Sequence, residues 1–445
     1  MVGCKPYKIL AFGPRNYMVR QIKFISIGPK SLNLPTEKSK MATAKPIITT
    51  AFSYETLEET LDIKRRSARL AIGIPKEVAF QEDRIALIPE AVSVLVSNGH
   101  QVVIQSKAGE GSKFSDKDYS EAGARITKDP DEVFKQPMLI KSAPITLSDL
   151  PKLQKGQIIM SPINHSLIQR EILEELSKKK ITTLAFEMLK DDSGTFPIVR
   201  SMSEIAGSAA MLLAGQFLAC SNNGKGVLLG GISGIPPTKV IIIGAGVVGE
   251  FATRTALALG ASVKVFDNNV YRLKRLQNNL GFRVWTSVIE PKILAKQLKT
   301  CEVAVGALSS EKGRVPVVVS ENMVAKMRPG SVILDVCIDR GGCFETSELT
   351  SHEEPVFRKH DVIHYCVPNI ASGFARTASH AISNVLMPML LKIADEGGLD
   401  SILWHNFNLR NGIYMFKGQV TNFYLSERFN LKYTDLNLLL ATSRR

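Results

Sequence analysis

A chain of 445 residues with 44% apolar and 22% charged residues has a globular composition, which excludes a mainly disordered protein and predicts two domains with terminal additions. The formal net charge is +14, and residues 1–40 contribute eight basic residues against Glu37 alone. Because the rest of the excess is spread along the chain, without a basic stripe and interleaved aromatic residues, no nucleic-acid partner is expected.

The cysteines and the apolar runs exclude further classes of protein. Six cysteines show neither CxxC pairs nor histidines at zinc-finger spacing, so we expect neither a metal site nor a disulfide framework. The apolar stretch over residues 206–220 is interrupted by Ser208 and Gln216, and it is shorter than the ~18–20 residues that cross a bilayer. A cytoplasmic protein without membrane contact is therefore expected.

Residues 1–40 are basic and nearly free of acidic residues, as transit peptides are. Serine is sparse, however, and no apolar signal core precedes a small-residue cleavage site, so secretion is not expected. We interpret the segment as a disordered or translated leader, with Met41 as the real start. No function is assigned to it.

From Leu70 onward, β-rich runs alternate with helix-length stretches, which predicts right-handed βαβ units and parallel sheets. The first set of predicted strands covers Leu70–Ile74, Gln101–Gln105, Met138–Lys141, Gln157–Ser161 and Ile181–Ala185. The second set covers Lys239–Ile243, Ser262–Phe266, Glu302–Gly306, Ser331–Val336 and Asp361–Tyr365.

Two long apolar helices, over Met202–Ala219 and Ala375–Asp395, connect the sets. The expected fold class is α/β, with two doubly wound Rossmann-like domains, an interdomain cleft and a discontinuous first domain. Residues 41–200 and 376–445 are expected to form the first domain and residues 201–375 the second. The cleft is the default ligand site, because open α/β sheets bind ligands beyond the carboxyl ends of their strands.

A dinucleotide motif opens the second domain. Gly244, Gly246 and Gly249 stand in G-x-G-x-x-G spacing between the predicted strand Lys239–Ile243 and a predicted helix over Val247–Leu259. The glycines permit the tight turn, the approach of a pyrophosphate and close helix packing, while the helix N-terminus supplies N–H donors. The second domain is therefore predicted to bind a nucleotide, although a Rossmann-like fold without one remains the alternative.

The next strand ends at Asp267, which can accept hydrogen bonds from ribose hydroxyls and would repel a 2′-phosphate. Arg272 could accept such a phosphate or pack beside adenine. We expect the negative charge of Asp267, rather than Arg272, to determine which cofactor binds, so the predicted cofactor is NAD. Further along, Asp339 lies between an apolar strand and a Gly-Gly turn; a buried aspartate is usually kept for a partner or for chemistry.

Five segments together resemble alanine dehydrogenase and the NAD-binding subunit of proton-translocating transhydrogenase over roughly residues 70–445. They are GIPKE from Gly73, EDRIAL from Glu82, GHQVVIQSKAGEGS from Gly99, FEMLKDDSGTFPIVRSMSEIAG from Phe186 and LDVCIDRGGCFETS from Leu334. The resemblance implies reversible NAD-dependent deamination of L-alanine to pyruvate and ammonia by a homo-oligomer, commonly a hexamer.

The resemblance also implies roles for single residues. Arg84 matches the arginine that binds the substrate carboxylate, and Asp339 matches the catalytic aspartate that orients and deprotonates water. The matching cofactor contacts are Ser203, Gly244, Ala245, Gly246, Val247, Val248, Gly249, Asp267, Arg272, Leu308, Val336, Ile338, Asp339, Val367, Asn369 and Ile370.

Two positions depart from the family pattern. Where the family has K-V-K-E-P, this chain has Lys141-Ser142-Ala143-Pro144, with one lysine in the register of the first. Where the family has a catalytic histidine, this chain has Asn164, with His165 one place later; such a slip is absorbed on a loop but turns a side chain over on a strand. Lys141 or His165 is expected to move protons at the substrate carbonyl. The rival functions are a transhydrogenase-type NAD(H)-binding subunit and a catalytically silent NAD-binding protein.

Overall fold

The computed structural model describes residues 67–79, 81–163, 168–310 and 313–442. The interpretation of residues 1–40 as a leader lies outside the described residues. Within the described part of the chain, no helix combines the length and apolar character needed to span a membrane.

Strands and helices alternate along the chain. The strands are β1 (Ala71–Ile74), β2 (Gln101–Gln105), β3 (Arg125–Thr127), β4 (Met138–Ile140), β5 (Ile158–Met160), β6 (Thr182–Leu184), β7 (Lys239–Ile243), β8 (Ser262–Phe266), β9 (Trp285–Ser287), β10 (Val303–Gly306), β11 (Val332–Asp335), β12 (Val356–Lys359), β13 (Val362–Tyr365), β14 (Ile413–Phe416) and β15 (Gln419–Val420). The α-helices are α1 (Pro89–Ser97), α2 (Asp116–Glu121), α3 (Pro130–Phe134), α4 (Arg170–Lys178), α5 (Pro197–Leu218), α6 (Val247–Ala258), α7 (Val270–Leu280), α8 (Pro291–Leu298), α9 (Glu321–Val324), α10 (Ala375–Asp395), α11 (Leu399–Ile402), α12 (Phe407–Arg410), α13 (Phe423–Phe429) and α14 (Leu436–Thr442).

The strands form two sheets, as the sequence predicted. The first sheet has the order β15-β14-β6-β5-β4-β1-β2-β3, and the second has the order β12-β13-β11-β10-β7-β8-β9. Since β14 and β15 follow the second sheet in sequence but belong to the first, the first sheet is assembled from two separate parts of the chain. The predicted α/β class with two Rossmann-like domains is confirmed.

The sheets are not wholly parallel, which differs from the prediction. β14 pairs antiparallel with β6, β15 with β14, and β12 with β13. The edge strands β3, β9 and β12 were not predicted, because none of their residues is fully buried and they therefore lack the apolar run by which a central strand is recognised.

Apolar side chains cover both faces of each sheet. In β4, Leu139 packs into one cluster and Ile140 into another; in β7, Ile241 and Ile242 are divided in the same way. Successive side chains of a strand point to opposite faces, so a central strand with two buried faces needs a continuous apolar run. This packing fixes the positions of the strands, and with them the positions of the loops at their carboxyl ends.

Candidate active site

A cavity of about 280 Å³ lies where loops from the two sheets meet. From the first sheet, Arg84 follows β1, Ser142 follows β4 and Phe186 follows β6; from the second, Val336 follows β11 and Asn369 follows β13. These loops all leave the carboxyl ends of parallel strands, where doubly wound sheets bind ligands. The cavity brings together the following predicted site residues: Arg84, Ser203, Val248, Val336, Asp339, Asn369 and Ile370.

Asp339 lies in a short 3₁₀ turn over Ile338–Arg340, directly after β11. Its side chain is open to the cavity, yet the surrounding protein removes part of its hydration. Desolvation raises the pKa of the Asp339 carboxyl, against the lowering effects of the Asn369 backbone N–H and the charges of Arg340 and Arg84. A carboxylate with a raised pKa that faces a cleft is suited to accept a proton.

Arg84 is held in a two-point ion pair with Glu82. Its Nε donates to Glu82 Oε1 at 2.6 Å, and its Nη2 lies 2.5 Å from Glu82 Oε2. The remaining nitrogen, Nη1, donates to the sulfur of Met202 at 3.4 Å, which is a weak acceptor. One edge of the guanidinium is therefore anchored, and the Nη1 edge can still bind a carboxylate.

The glycine turn fits a dinucleotide pyrophosphate. Gly244 has a φ of +117°, and a Cβ on Gly249 would lie 1.8 Å from the Gly244 carbonyl oxygen, so both positions require glycine. A Cβ on Gly246 would meet open space, which leaves the backbone approachable at the N-terminus of α6. These are the features that a pyrophosphate-binding turn needs.

Asp267 connects this turn to the next loop. Its two carboxylate oxygens accept hydrogen bonds from the backbone N–H groups of Ala245 and Asn269, each at 2.7 Å. A pocket of about 640 Å³ beside it is also lined by Arg272 and Leu308. Arg272 Nη1 is 3.4 Å from Ser309 Oγ. The pocket thus brings together Asp267, Arg272 and Leu308, three of the residues predicted to contact the cofactor.

The described part of the chain does not bring every predicted site residue to the cleft cavity. Lys141 is buried, and its ammonium lies 3.1 Å from Glu77 and 3.3 Å from Asp149. Burial acts to lower the pKa of Lys141, but the two carboxylates outweigh it and the pKa is raised. Ser142, rather than Lys141, lines the cavity. His165 lies outside the described residues, so both roles stay predictions.

Several residues in and around the cleft were not identified from the sequence; of those that follow, only Glu187 lines the cavity. Glu82 and Glu187 lie in family motifs, but a single glutamate in a motif gives no sign of its partner. Asp335, Cys337 and Cys343 are also brought together, with potential ligand atoms within 4.8 Å of one another. Asp335 Oδ2 accepts hydrogen bonds from Cys343 N–H and Ser347 Oγ, which fixes the loop that carries Asp339.

Comparisons with known proteins agree with this geometry. The Alanine dehydrogenase/PNT N-terminal domain matches residues 73–206, and the C-terminal domain of the same family matches residues 210–423. Alanine dehydrogenase 2 of Staphylococcus aureus (strain USA300) is 36% identical over 368 residues, which is 82% of this chain and 98% of that protein. A structure of L-alanine dehydrogenase has a TM-score of 0.76 and 34% identity, and the match covers 81% of this chain and 99% of that one.

A crystal structure of transhydrogenase from Sinorhizobium meliloti is also similar, with a TM-score of 0.68 and 22% identity, over 79% of this chain and 99% of that one. At this identity the likeness concerns the fold alone. The resemblance stated from the motifs is confirmed by both domain matches and by the relatives above. The chain belongs to the alanine dehydrogenase/PNT family of nicotinamide-dependent oxidoreductases.

Proposed function

We propose that this protein is an L-alanine dehydrogenase, which converts L-alanine to pyruvate and ammonia reversibly and uses NAD. The observation that supports this proposal most strongly is that Arg84 and Asp339 line one cavity together with five further residues predicted to contact the cofactor: Ser203, Val248, Val336, Asn369 and Ile370. A carboxylate-binding arginine and a carboxyl base beside a dinucleotide turn are the groups that oxidation of an amino acid requires.

In this mechanism, Arg84 binds the substrate carboxylate through its Nη1 edge, because Glu82 occupies the other edge. Bound NAD supplies the acceptor for the hydride of the substrate Cα. Asp339 orients a water molecule against the resulting imine carbon and takes its proton. The apolar side chains of Phe186, Ile198 and Ile370 on the cavity wall limit the access of bulk water.

The proposal also assigns substrate binding and cofactor binding to different domains. Residues 41–200 and 376–445 would bind the substrate, and residues 201–375 would bind NAD through Gly244–Gly249 and Asp267. Both oxygens of Asp267 are already oriented by backbone N–H groups, which leaves their remaining lone pairs for ribose hydroxyls and a negative charge against a 2′-phosphate. We also propose a homo-oligomer, with the hexamer that the family resemblance implies.

The test is NADH formation by the purified chain with L-alanine, with D-alanine and with NADP in place of NAD. We expect turnover with L-alanine and NAD, and much slower reaction in the other two mixtures. Comparable rates with NADP would contradict the role of Asp267. Hydride exchange between nucleotides without any alanine-dependent reaction would favour a transhydrogenase-type subunit, and NAD binding without turnover would favour a silent binding protein.

A further inference from the structure

Two side-chain oxygens that belong to residues lining the cleft cavity are buried without a hydrogen-bond partner among the described residues. They are Oε2 of Glu187 and Oγ of Ser142. The Ser142 side chain is only 3% exposed, so it is shielded from bulk water. Buried polar groups are nearly always hydrogen-bonded in native proteins, and two such atoms on one cavity wall therefore indicate a polar ligand.

The Glu187 carboxyl is fixed in place by the chain around it. Glu187 lies in the 3₁₀ turn Phe186–Met188, directly after β6, and its Oε1 accepts the Ile163 backbone N–H at 2.5 Å. Burial raises the pKa of the Glu187 carboxyl to about 7, and the Ile163 N–H opposes that rise. One oxygen is thus engaged by the backbone, while the other is buried without a partner among the described residues, in a side chain that lines the cavity.

The charge around the cavity favours a small cation. Its ionisable lining groups are Arg84, Asp339 and Glu187, and the Arg84 charge is already paired with Glu82. The Tyr414 hydroxyl lies near Glu187, and burial raises its pKa, so it adds no charge. The two carboxyl groups leave the cavity with an excess of acceptors, whereas an ammonium group brings only donors.

We propose that Glu187 and Ser142 form the subsite for the nitrogen of the substrate, which is the ammonium ion when pyruvate is aminated. The assignment rests on the proposed function, and it concerns groups that the roles of Arg84 and Asp339 leave unused. Ammonium donates to Glu187 Oε2 and to Ser142 Oγ. One N–H bond then breaks as its proton moves to Glu187. The nitrogen lone pair forms a bond to the carbonyl carbon of pyruvate while the C=O π pair moves to the oxygen, which takes one proton from Asp339 and one from the nitrogen and leaves as water. In the opposite direction the released ammonia takes this proton back.

The test is steady-state kinetics of pyruvate amination, with the KM for ammonium and the KM for pyruvate measured separately. Glu187→Gln keeps the size of the side chain but removes its charge. We expect the KM for ammonium to rise about tenfold or more, the scale of one charged hydrogen bond, with the KM for pyruvate nearly unchanged. Glu171→Gln, an exposed residue of α4, is the matched control and should change neither constant.

The pH dependence separates proton acceptance from a packing role. The Gln variant cannot deprotonate ammonium at this position, so near neutral pH it depends on the small fraction of free ammonia in solution. Its rate should therefore recover at alkaline pH, where that fraction rises. A packing defect would lower the rate equally at every pH. Ser142→Ala, which removes a hydroxyl without changing the charge, should raise the KM for ammonium several-fold and provides a second variant if Glu187→Gln folds poorly.

The outcomes distinguish the two proposals. Wild-type protein that does not oxidise NADH with pyruvate and ammonium would overturn the proposed function. Active wild type combined with an unchanged ammonium KM in both Glu187→Gln and Ser142→Ala would overturn the subsite alone, and it would assign both side chains to ordered water.

Discussion

Asp339 combines access to the cleft with restricted hydration, and its replacement should affect chemistry more than binding. Asp339→Asn keeps the shape of the side chain but removes the base, so we expect turnover to fall by about 10²-fold or more, the usual scale for loss of a general base. The affinity for NAD, measured by fluorescence titration, should change little. Unaltered turnover would assign Asp339 a structural role.

The pH profile of the wild type reports on the same carboxyl. Desolvation raises the pKa of Asp339 above its ordinary value. A base must be ionised to accept a proton, so alanine oxidation should decline as the pH falls through this raised pKa, at a higher pH than an exposed aspartate would give. The Asn variant should lose that limb of the profile.

Glu82 is a positioning residue for Arg84. It accepts two hydrogen bonds from the guanidinium, and its Oε2 also accepts one from Asn369 Nδ2 at 3.3 Å. Glu82→Gln should loosen the guanidinium, and small misplacements of a positioning group cost up to about 10²-fold. We therefore expect the KM for alanine and for pyruvate to rise about tenfold or more, with Glu90→Gln on the surface of α1 as the control. A lower KM would mean that Glu82 competes with the substrate carboxylate.

The strand β4 ends beside Lys141, whose predicted role at the substrate carbonyl needs its own test. Lys141 leaves this strand toward Glu77 and Asp149, so it would have to exchange these partners to reach a substrate carbonyl. Breaking a buried ion pair from one side typically costs ~3–5 kcal/mol, so Lys141→Met should lower the melting temperature. A folded Lys141→Met variant that has lost at least tenfold in turnover would support its role at the carbonyl.

The alternative group is tested by a second variant. If Lys141→Met keeps its turnover and His165→Ala loses it, the histidine moves the proton and the role predicted for Lys141 is wrong. Full activity in both variants would exclude both residues from proton transfer at the substrate carbonyl. The variants are compared at a temperature well below the melting transition of either one.

Sequence patterns predicted the central strands of both sheets but not the strands at their edges. The apolar runs of β2, β7 and β8 gave their bounds without error, because each of these strands is almost wholly apolar in its buried part. β14 was missed, since its pairing with β6 joins residues more than two hundred positions apart. The glycine turn and Asp267 could be read locally, whereas the Glu82 pair and the free oxygen of Glu187 depend on contacts that spacing does not reveal.

An apolar patch on the surface of the molecule indicates how copies of the chain could associate. Leu228, Ile232 and Ile235 are 69%, 61% and 59% exposed, and Ile232 and Ile235 are joined by a short antiparallel bridge. Monomers rarely expose large apolar patches. Since the family resemblance implies an oligomer, we propose that this patch contacts a second copy.

Light scattering after size exclusion tests this contact. The wild type should elute as an oligomer, and the double substitution Ile232→Lys with Ile235→Lys should lower its mass, because a lysine ammonium is costly to bury at an interface. Leu438→Lys, at an exposed position outside the patch, is the control. A monomeric wild type, or a double variant that keeps the full mass, would contradict the assignment.

The central claim is direct transfer of a hydride from alanine within the cleft that holds Arg84 and Asp339. The most direct measurement uses L-alanine deuterated at C2, with NMR analysis of the NADH formed. We expect one deuterium on C4 of the nicotinamide, with pyruvate formed in equal amount, and slower turnover than with ordinary alanine where hydride transfer limits the rate. NADH without deuterium, or deuterium released to water, would contradict the mechanism.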